Sequence, residues 1–281
     1  MSKWAKMVYI SRKLILGALL FVVVLVYWAV GQKENQSAAV IFLNVGQGDG
    51  ALIELPGDIQ ILVDAGPSAD FSNKISQYLP FYDREIELAI LTHPHADHVS
   101  GFLQALKDYH IKNFMLAGAN YNSKIYTDFI KLLKTEGSRV YAAKSGDSIS
   151  WNNTPILKII WPDKIALGRS FKSIHDSTVV SQLNLGNKKF LLMGDAEANV
   201  ETALVESNTI TDIDVLKVGH HGSKTSSSEI FLQAAQPEEA VISVGQNSYG
   251  HPHQITLRNL EKYGIKIFRT DQAGDIIYSA K

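Results

Sequence analysis

Three histidines and an aspartate lie within six residues in the stretch "LTHPHADHVSGF", at residues 91–102. His93 and His95 are two residues apart at the end of an apolar run, so their side chains emerge on the same side of an extended chain and can converge on one metal ion. Asp97 and His98 follow a bend and can face a second ion about 3.5 to 4 Å from the first. The spacing predicts a site for two divalent cations, in which Asp97 can also orient the attacking water.

The remaining ligands must come from distant parts of the chain, because four side chains in one loop cannot close two metal sites. Asp195 ends the apolar run "KFLLMGD" and His220 ends "DVLKVGH", and a polar residue that abruptly finishes a strand is a candidate ligand. A carboxylate can bridge two cations through its two oxygens, so we assign the bridge to Asp195 and completion of the second site to His220. Asp64, which finishes the run "ILVDA", is better placed to orient the histidine loop than to bind metal.

Composition limits the chemistry of these ligands. The chain has no cysteine, which excludes disulfides and thiolate ligands, so any metal must be held by histidine and carboxylate. We expect two divalent ions, zinc or manganese. With 281 residues, 46% hydrophobic and 20% charged, the chain is typical of a globular protein with a large core.

The elements that must position these residues alternate between strands and helices. Predicted strands are "AVIFLNV", "ALIEL", "IQILVDAG", "IELAILTH", "ILKIIW", "VVSQLNL", "KFLLMGD", "DVLKVGH", "AVISVG" and "KIFRT". Predicted helices are "HVSGFLQALKDY", "SKIYTDFIKLLKTEG", "EANVETALVES", "SEIFLQAAQ" and "ITLRNLEKY". The first three strands follow one another across short turns, which predicts antiparallel pairing. Strand clusters with flanking helices in both halves predict two sheets face to face, with helices outside.

The N-terminal region has a different character. Residues 14–31, "LILGALLFVVVLVYWAVG", contain no charge, and a helix of this length reaches roughly 27 Å, close to the hydrocarbon thickness of a bilayer. The preceding flank, 1–13, holds four basic residues, which places it in the cytoplasm by the positive-inside rule. We therefore expect a transmembrane anchor at 14–31, a tether at 32–38 and an extracytoplasmic metallo-hydrolase domain at 39–281. A cleaved signal peptide, with secretion of the domain, is the alternative.

Charge bears on the substrate. The whole chain has a net charge of −1, and without the four basic residues of the flank 23 basic residues face 28 acidic ones. No basic stripe runs along the sequence. This balance is poorly suited to tracking a long nucleic acid.

Several motifs together resemble the metallo-β-lactamase fold superfamily and, within it, the hydrolase domain of the ComEC/Rec2 competence proteins. The matching stretches are "FLNVGQGDGALIELP", "LVDAG", "LTHPHADHVSGF", "HDSTVVSQL", "LLMGDAE", "LKVGHHGSKTSSS" and "VISVGQNSYGHPH", so the resemblance covers about residues 39 to 280. It implies a four-layer αββα sandwich of the α+β class, in which a metal-bound hydroxide attacks a phosphoryl or acyl centre. It implies one ion held by His93, His95 and Asp195, and another held by Asp97, His98, His220 and the shared Asp195.

Two features depart from that family's pattern. The family commonly has a further first-site histidine upstream of the bridging aspartate, and its competence-like members tend to have asparagine there. This chain has His175 followed by Asp176, so His175 is either a ligand or a neighbour of the site. The ComEC proteins also surround their hydrolase domain with a channel of many helices, whereas one anchor is predicted here.

Polar residues beyond the ligands are expected to line the rim. His221, Ser223 and Lys224 follow the predicted second-site histidine, and His251 lies in "YGHPH". Donors of this kind suit phosphate oxygens, and His251 is a candidate phosphate binder or acid. The sequence therefore favours an anchored, metal-dependent phosphodiesterase acting on nucleic acid, nucleotide-like or headgroup phosphodiesters at the bacterial cell membrane.

Three alternatives remain open from the sequence. The same ions could act on an acyl centre in a β-lactam or thioester hydrolase. A non-catalytic domain could bind metal for structure or present a partner surface. The chain could also be the nuclease subunit of a DNA-uptake apparatus, degrading single-stranded DNA.

Overall fold

A computed structural model of the chain describes residues 14–24, 37–210 and 212–280. In this part of the chain two seven-stranded sheets pack face to face, and helices cover the outer surface of each. This is the α+β, four-layer αββα arrangement that the sequence predicts.

The elements follow one another in both halves of the chain. Up to residue 161 they are α1 (14–24), β1 (Ala38–Phe42), β2 (Gly50–Leu55), β3 (Ile59–Ala65), α2 (Phe71–Ile75), β4 (Glu85–Ile86), β5 (Leu88–Leu91), α3 (Ala96–Val99), α4 (Phe102–Asp108), β6 (His110–Ile111), β7 (Asn113–Leu116), α5 (Lys124–Glu136), β8 (Arg139–Ala142), β9 (Ser148–Trp151) and β10 (Thr154–Trp161). After it they are β11 (Val180–Leu185), β12 (Lys188–Leu192), α6 (Ala198–Glu206), β13 (Val215–Lys217), α7 (Glu229–Ala235), β14 (Glu239–Ile242), α8 (Gln254–Lys262), β15 (Lys266–Arg269), α9 (Thr270–Ala273) and β16 (Ile276–Ala280). Two 3-10 turns, Ile174–Ser177 and Gly219–Gly222, lie in the second half.

Sheet order explains how distant residues meet. The first sheet has the order β16, β1, β2, β3, β5, β7, β8, and the second β15, β14, β13, β12, β11, β10, β9. The pairs β1–β2 and β2–β3 are antiparallel, as predicted. The pairs β3–β5 and β12–β13 are parallel, so within each pair the carboxyl ends lie at the same edge of the sheet.

The core follows from the alternation of side chains along each strand. In β12, Phe190 and Leu192 point between the sheets, while Leu191 points to the helices outside the second sheet. In β3, Val63 points between the sheets and Leu62 to the helices outside the first sheet. Each sheet is therefore apolar on both faces, which accounts for the near-continuous apolar runs of its central strands.

One predicted helix is confirmed and another is divided. The helix α5 begins after Ser123, whose hydroxyl accepts a hydrogen bond from the Tyr126 amide at 3.1 Å, and ends before Gly137 at φ 78°. The stretch "HVSGFLQALKDY" instead forms α3 and α4. A Cβ atom at Gly101 would lie 1.9 Å from the carbonyl oxygen of Ala65, so glycine allows this turn to press against the end of β3.

The predicted membrane segment is described only in part. Residues 14–24 form α1, and its large apolar side chains, such as Leu14 and Leu20, are exposed. Residues 25–31, the flank 1–13 and most of the tether lie outside the described residues. Among the residues that the structure does describe, none of the helices combines the length and apolar character needed to cross a bilayer.

The packing between the sheets can be tested at Phe190, which is 1% exposed and packs edge to face on Tyr278 with ring centroids 5.4 Å apart. We expect Phe190→Ala to lower the free energy of unfolding by about 3 to 5 kcal/mol, because a buried phenyl ring is lost and a cavity is left. Urea denaturation followed by tryptophan fluorescence measures the change. Phe81→Ala, at a side chain that is 88% exposed, is the control and should change stability by less than about 0.5 kcal/mol.

Candidate metal centre

The histidine loop leaves β5 and enters α3 within a few residues. His93 is 1% exposed and His98 is fully buried, whereas His95 is half-buried. The His93 ring lies 4.1 Å from the His98 ring and 4.7 Å from the His95 ring. The strand end and the first helical turn therefore bring the three imidazoles together, as their spacing predicts.

A first group of donors contains two residues of this loop and two from the second half of the chain. One donor atom each from His93, His95, His175 and Asp195 lies within 4.8 Å of the others. His93 Nε2 is 3.4 Å from Asp195 Oδ2, and His175 Nε2 is 3.2 Å from His95 Nδ1. The structure thus places His175 among the possible ligands, while Asp176 accepts a hydrogen bond from Asn199.

A second group contains Asp97, His98 and His221, again with donor atoms within 4.8 Å of one another. His221 Nε2 is 3.2 Å from Asp97 Oδ2, and His98 Nε2 is 3.3 Å from Asp195 Oδ1. The two oxygens of Asp195 therefore face different groups. This is the geometry expected of a bridging carboxylate.

The structure corrects the expected position of His220. Its Nδ1 lies 3.1 Å from Glu197 Oε1, and its Nε2 is 3.9 Å from Asp195, so His221 occupies the place beside Asp97 that the sequence analysis gave to His220. The strand β13 ends at Lys217, and both histidines lie in a turn with left-handed backbone, at φ 47° and 52°. Strand alternation therefore does not govern the direction of either side chain.

Asp64 contacts both ends of the histidine loop, through Thr92 and His98. Its carboxylate accepts hydrogen bonds from the Thr92 amide at 2.8 Å and the Thr92 hydroxyl at 2.7 Å, and its Oδ2 lies 2.7 Å from His98 Nδ1. With Nδ1 engaged, His98 presents Nε2 to the centre. A carboxylate paired with a histidine in this way sets the tautomer of a metal ligand.

Three residues of the site were missed from the sequence. Asp49 and Lys217 form a buried ion pair, with Nζ 2.7 Å from Oδ2, and Asp49 Oδ1 is 3.2 Å from His221 Nδ1. Glu197 contacts His220. A charged residue inside the glycine turn "GQGDG" and a lysine inside the apolar run "DVLKV" were the available signals for the first two.

The rim residues have diverse roles. Lys224 is exposed, and the ring of half-buried His251 lies 5.4 Å from the His220 ring. Ser223, expected at the rim, is buried, and its hydroxyl is 2.9 Å from that of Thr225. It braces the turn instead of facing solvent.

The donor set fits a cation. His93 Nε2, His98 Nε2, His221 Nε2 and Asp195 Oδ1 are buried without a hydrogen-bond partner among the described residues. Buried polar atoms ordinarily have partners, and the convergence of these four suits the binding of a cation. Imidazole and carboxylate are the ligands that zinc and manganese accept.

Electrostatics divide the histidines into two kinds. Burial lowers the pKa of His93 and of His95 to about 4, so both are neutral at pH 7. Burial alone would also lower the pKa of His221, but Asp195 and Asp49 raise it to about 10. Asp195 and Asp64 likewise outweigh burial at His98 and raise its pKa well above the usual value. Without metal, His98 and His221 therefore carry the positive charge that balances Asp195.

The fold and the convergent donors define the class of protein, an αββα sandwich with a candidate site for divalent metal ions. A family model described as the metallo-beta-lactamase superfamily matches residues 43–125 and 170–246, more than half of the chain, and the protein belongs to that superfamily.

Within this superfamily, the chain is similar in sequence to curated proteins of the ComEC/Rec2 type. ComE operon protein 3 of Bacillus subtilis is 29% identical over 267 residues, which cover 88% of this chain and 34% of the relative. Recombination protein 2 of Haemophilus influenzae is 31% identical over 251 residues, which cover 87% of this chain and 29% of the relative. The chain spans about a third of the length of these curated relatives.

Solved structures agree on the fold. A metal-dependent hydrolase of the beta-lactamase superfamily has a TM-score of 0.53 at 11% identity, covering 87% of this chain and 100% of that chain. Zn(2+)-bound PqqB from Methylobacterium extorquens has a TM-score of 0.50 at 13% identity, covering 83% of this chain and 87% of that chain. At such identities these similarities bear on the fold alone.

Metal uptake at pH 7 is expected to release at least two protons, one each from His98 and His221, because raised pKa values keep both protonated in the metal-free protein, and a metal-bound water that ionises adds a third. His93 and His95 are already neutral and release none. Metal affinity should therefore rise with pH through the neutral range. Isothermal titration calorimetry in buffers of different ionisation enthalpy measures the release, and a result of zero protons would contradict the assignment.

Proposed function

We propose that this protein is a phosphodiesterase that uses two divalent cations, zinc or manganese. One would be held by His93, His95, His175 and Asp195, and the other by Asp97, His98, His221 and Asp195. The observation that carries the proposal is the position of Asp195, whose two oxygens face the two groups at 3.4 and 3.3 Å from His93 and His98. When bound, such a pair of ions supplies an activated water and stabilises charge on the attacked centre.

The side chains around the centre have separate tasks in this proposal. Asp97 has a side chain that is 30% exposed, so one of its sides reaches the cleft and can orient the attacking water. His220 and His251 lie next to each other at the rim, and the exposed Lys224 lies two residues beyond the turn Gly219–Gly222 that holds His220. The ammonium group of Lys224 is a cationic donor, which suits phosphate oxygens better than the carbonyl of an acyl substrate.

Nucleic acid or a nucleotide-like diester is the proposed substrate class. The curated relatives include proteins named for competence and recombination, which supports a nucleic-acid substrate. The excess of acidic residues favours a short strand or an end over a long duplex. A nuclease role in DNA uptake is consistent with these names.

Hydrolysis of a bis-aryl phosphodiester with added Mn²⁺ or Zn²⁺ tests the activity. Replacing His93 and Asp97 together by alanine should lower the rate on the order of a thousand-fold or more, because one ligand of each ion is removed. His110→Ala, at an exposed histidine away from the site, is the control and should retain the rate.

Equal rates for the wild type and the double variant would rule the proposal out. Nitrocefin and an acyl thioester are assayed in parallel, because they are substrates of acyl hydrolases. Faster turnover of either one than of the diester would favour a β-lactam or thioester hydrolase.

We also propose that residues 14–31 anchor the domain 39–281 to the outer side of a bacterial membrane. The eighteen residues carry no charge, and the large apolar side chains of α1 are exposed, with Leu19 at 58% and Val22 at 53%. Apolar surface of this extent is stabilised by lipid.

Vesicle flotation of the full chain tests the anchor. Replacing Leu19 and Val22 by lysine should abolish flotation, because each charge in the bilayer centre costs about 2.5 to 3.5 kcal/mol. Lysine at the exposed Ile230 and Ile255 is the matched control and should leave flotation unchanged. Flotation that survives the α1 substitutions would argue against an anchor here.

A further inference from the structure

Glu197 lies two residues after Asp195, at the start of α6, and its carboxylate meets two histidines from different turns. Oε1 is 3.1 Å from His220 Nδ1 and 3.6 Å from His175 Nδ1. The two histidine rings are only 4.1 Å apart and nearly perpendicular. One carboxylate oxygen therefore faces the same ring nitrogen of both, within hydrogen-bond distance of His220 and at the longer distance of an ion pair from His175.

This contact decides where the other nitrogens point. With both Nδ1 atoms turned to Glu197, the Nε2 atoms face inward: that of His175 lies 3.2 Å from His95 Nδ1, and that of His220 lies 3.9 Å from Asp195 Oδ2. Neutral imidazole has one N–H and one acceptor nitrogen. A proton held on Nδ1 by a carboxylate leaves Nε2 free to bind a metal ion or to contact a substrate.

The carboxylate is itself held in place. The Thr225 hydroxyl donates to Glu197 Oε1 at 2.6 Å, and the Thr225 carbonyl accepts from the Ala198 amide at 2.8 Å. Thr225 also contacts Ser223 in the turn that follows His220. The start of α6 and the histidine turn are thereby joined, so the position of Glu197 is set by both.

We propose that Glu197 is a positioning residue that fixes His175 and His220 with Nε2 inward, so that the first metal site and the adjoining rim are formed before the ion arrives. This role rests on the proposed two-metal centre. Glu197 itself touches neither ion nor substrate. Carboxylates that orient a ligating histidine typically contribute 10- to 100-fold in metal affinity.

Glu197→Gln in the full chain tests the proposal. The amide keeps the size of the side chain but presents one neutral oxygen to Thr225 and two imidazoles. Chelator competition measures the Zn²⁺ affinity of each site. The variant should still bind two equivalents of Zn²⁺, but one ion should bind about 10- to 100-fold more weakly than in the wild type, while the affinity for the second ion stays unchanged. Glu206→Gln, at an exposed position of the same helix, is the matched control and should bind as the wild type does.

Two further measurements separate orientation from folding. Nitrogen-15 NMR of the metal-free wild type should show His175 and His220 protonated on Nδ1, and the variant should show a mixture of tautomers. In a protein that already carries His175→Ala, Glu197→Gln should change the affinity of the weakened ion by less than about twofold, since its partner is gone.

Unchanged affinity and unchanged tautomers in Glu197→Gln would overturn the proposal. So would a third equivalent of Zn²⁺ that the wild type binds and the variant loses, because Glu197 would then be a ligand together with His175 and His220. Two tightly bound ions without phosphodiester hydrolysis would remove the proposed substrate class and leave the role of Glu197 intact.

Discussion

The burial of the Asp195 carboxylate is the constraint on which the centre depends. The residue is 1% exposed, and an ionised carboxylate in such a place is strongly destabilising unless positive charge surrounds it. Burial would raise its pKa, but His98 and His221 hold the pKa well below the usual value. These histidines follow strands of opposite sheets, His98 after β5 and His221 after β13, so both reach Asp195 only when the two sheets are packed.

A second buried charge extends the same principle. Asp49, in the turn between β1 and β2, pairs with Lys217 at the end of β13 across 168 residues of sequence. Burial alone would raise the pKa of Asp49, yet Lys217 and His221 lower it to about 2, so it stays ionised. Asp49 also contacts His221, which is a possible metal ligand. The packing of the two sheets therefore helps to set the direction of the His221 side chain.

The elements predicted from the sequence are those with strong local patterns. The central strands are apolar on both faces, and α5 has a serine cap and a glycine stop. The strands β6, β7, β8, β9 and β16 were not predicted. In β8, three of four residues are exposed and two of these, Val140 and Tyr141, are apolar, so the strand has no buried stripe to recognise. Such an edge strand is defined by pairing with its neighbour, which a local pattern does not contain.

By itself the sequence determined the αββα layers, the choice of histidine and carboxylate as candidate metal ligands, and the histidine loop, because periodicity and a tight motif act over a few residues. It also pointed to Asp195 and Asp64 through the apolar strands that they end. Only the tertiary structure placed His221, and not His220, beside Asp97, since a left-handed turn sets the directions of both side chains. The contact of Asp49 with Lys217, and those of Glu197 with His175 and His220, are likewise visible only in the tertiary structure. Contacts between residues far apart in the chain depend on how the sheets pack.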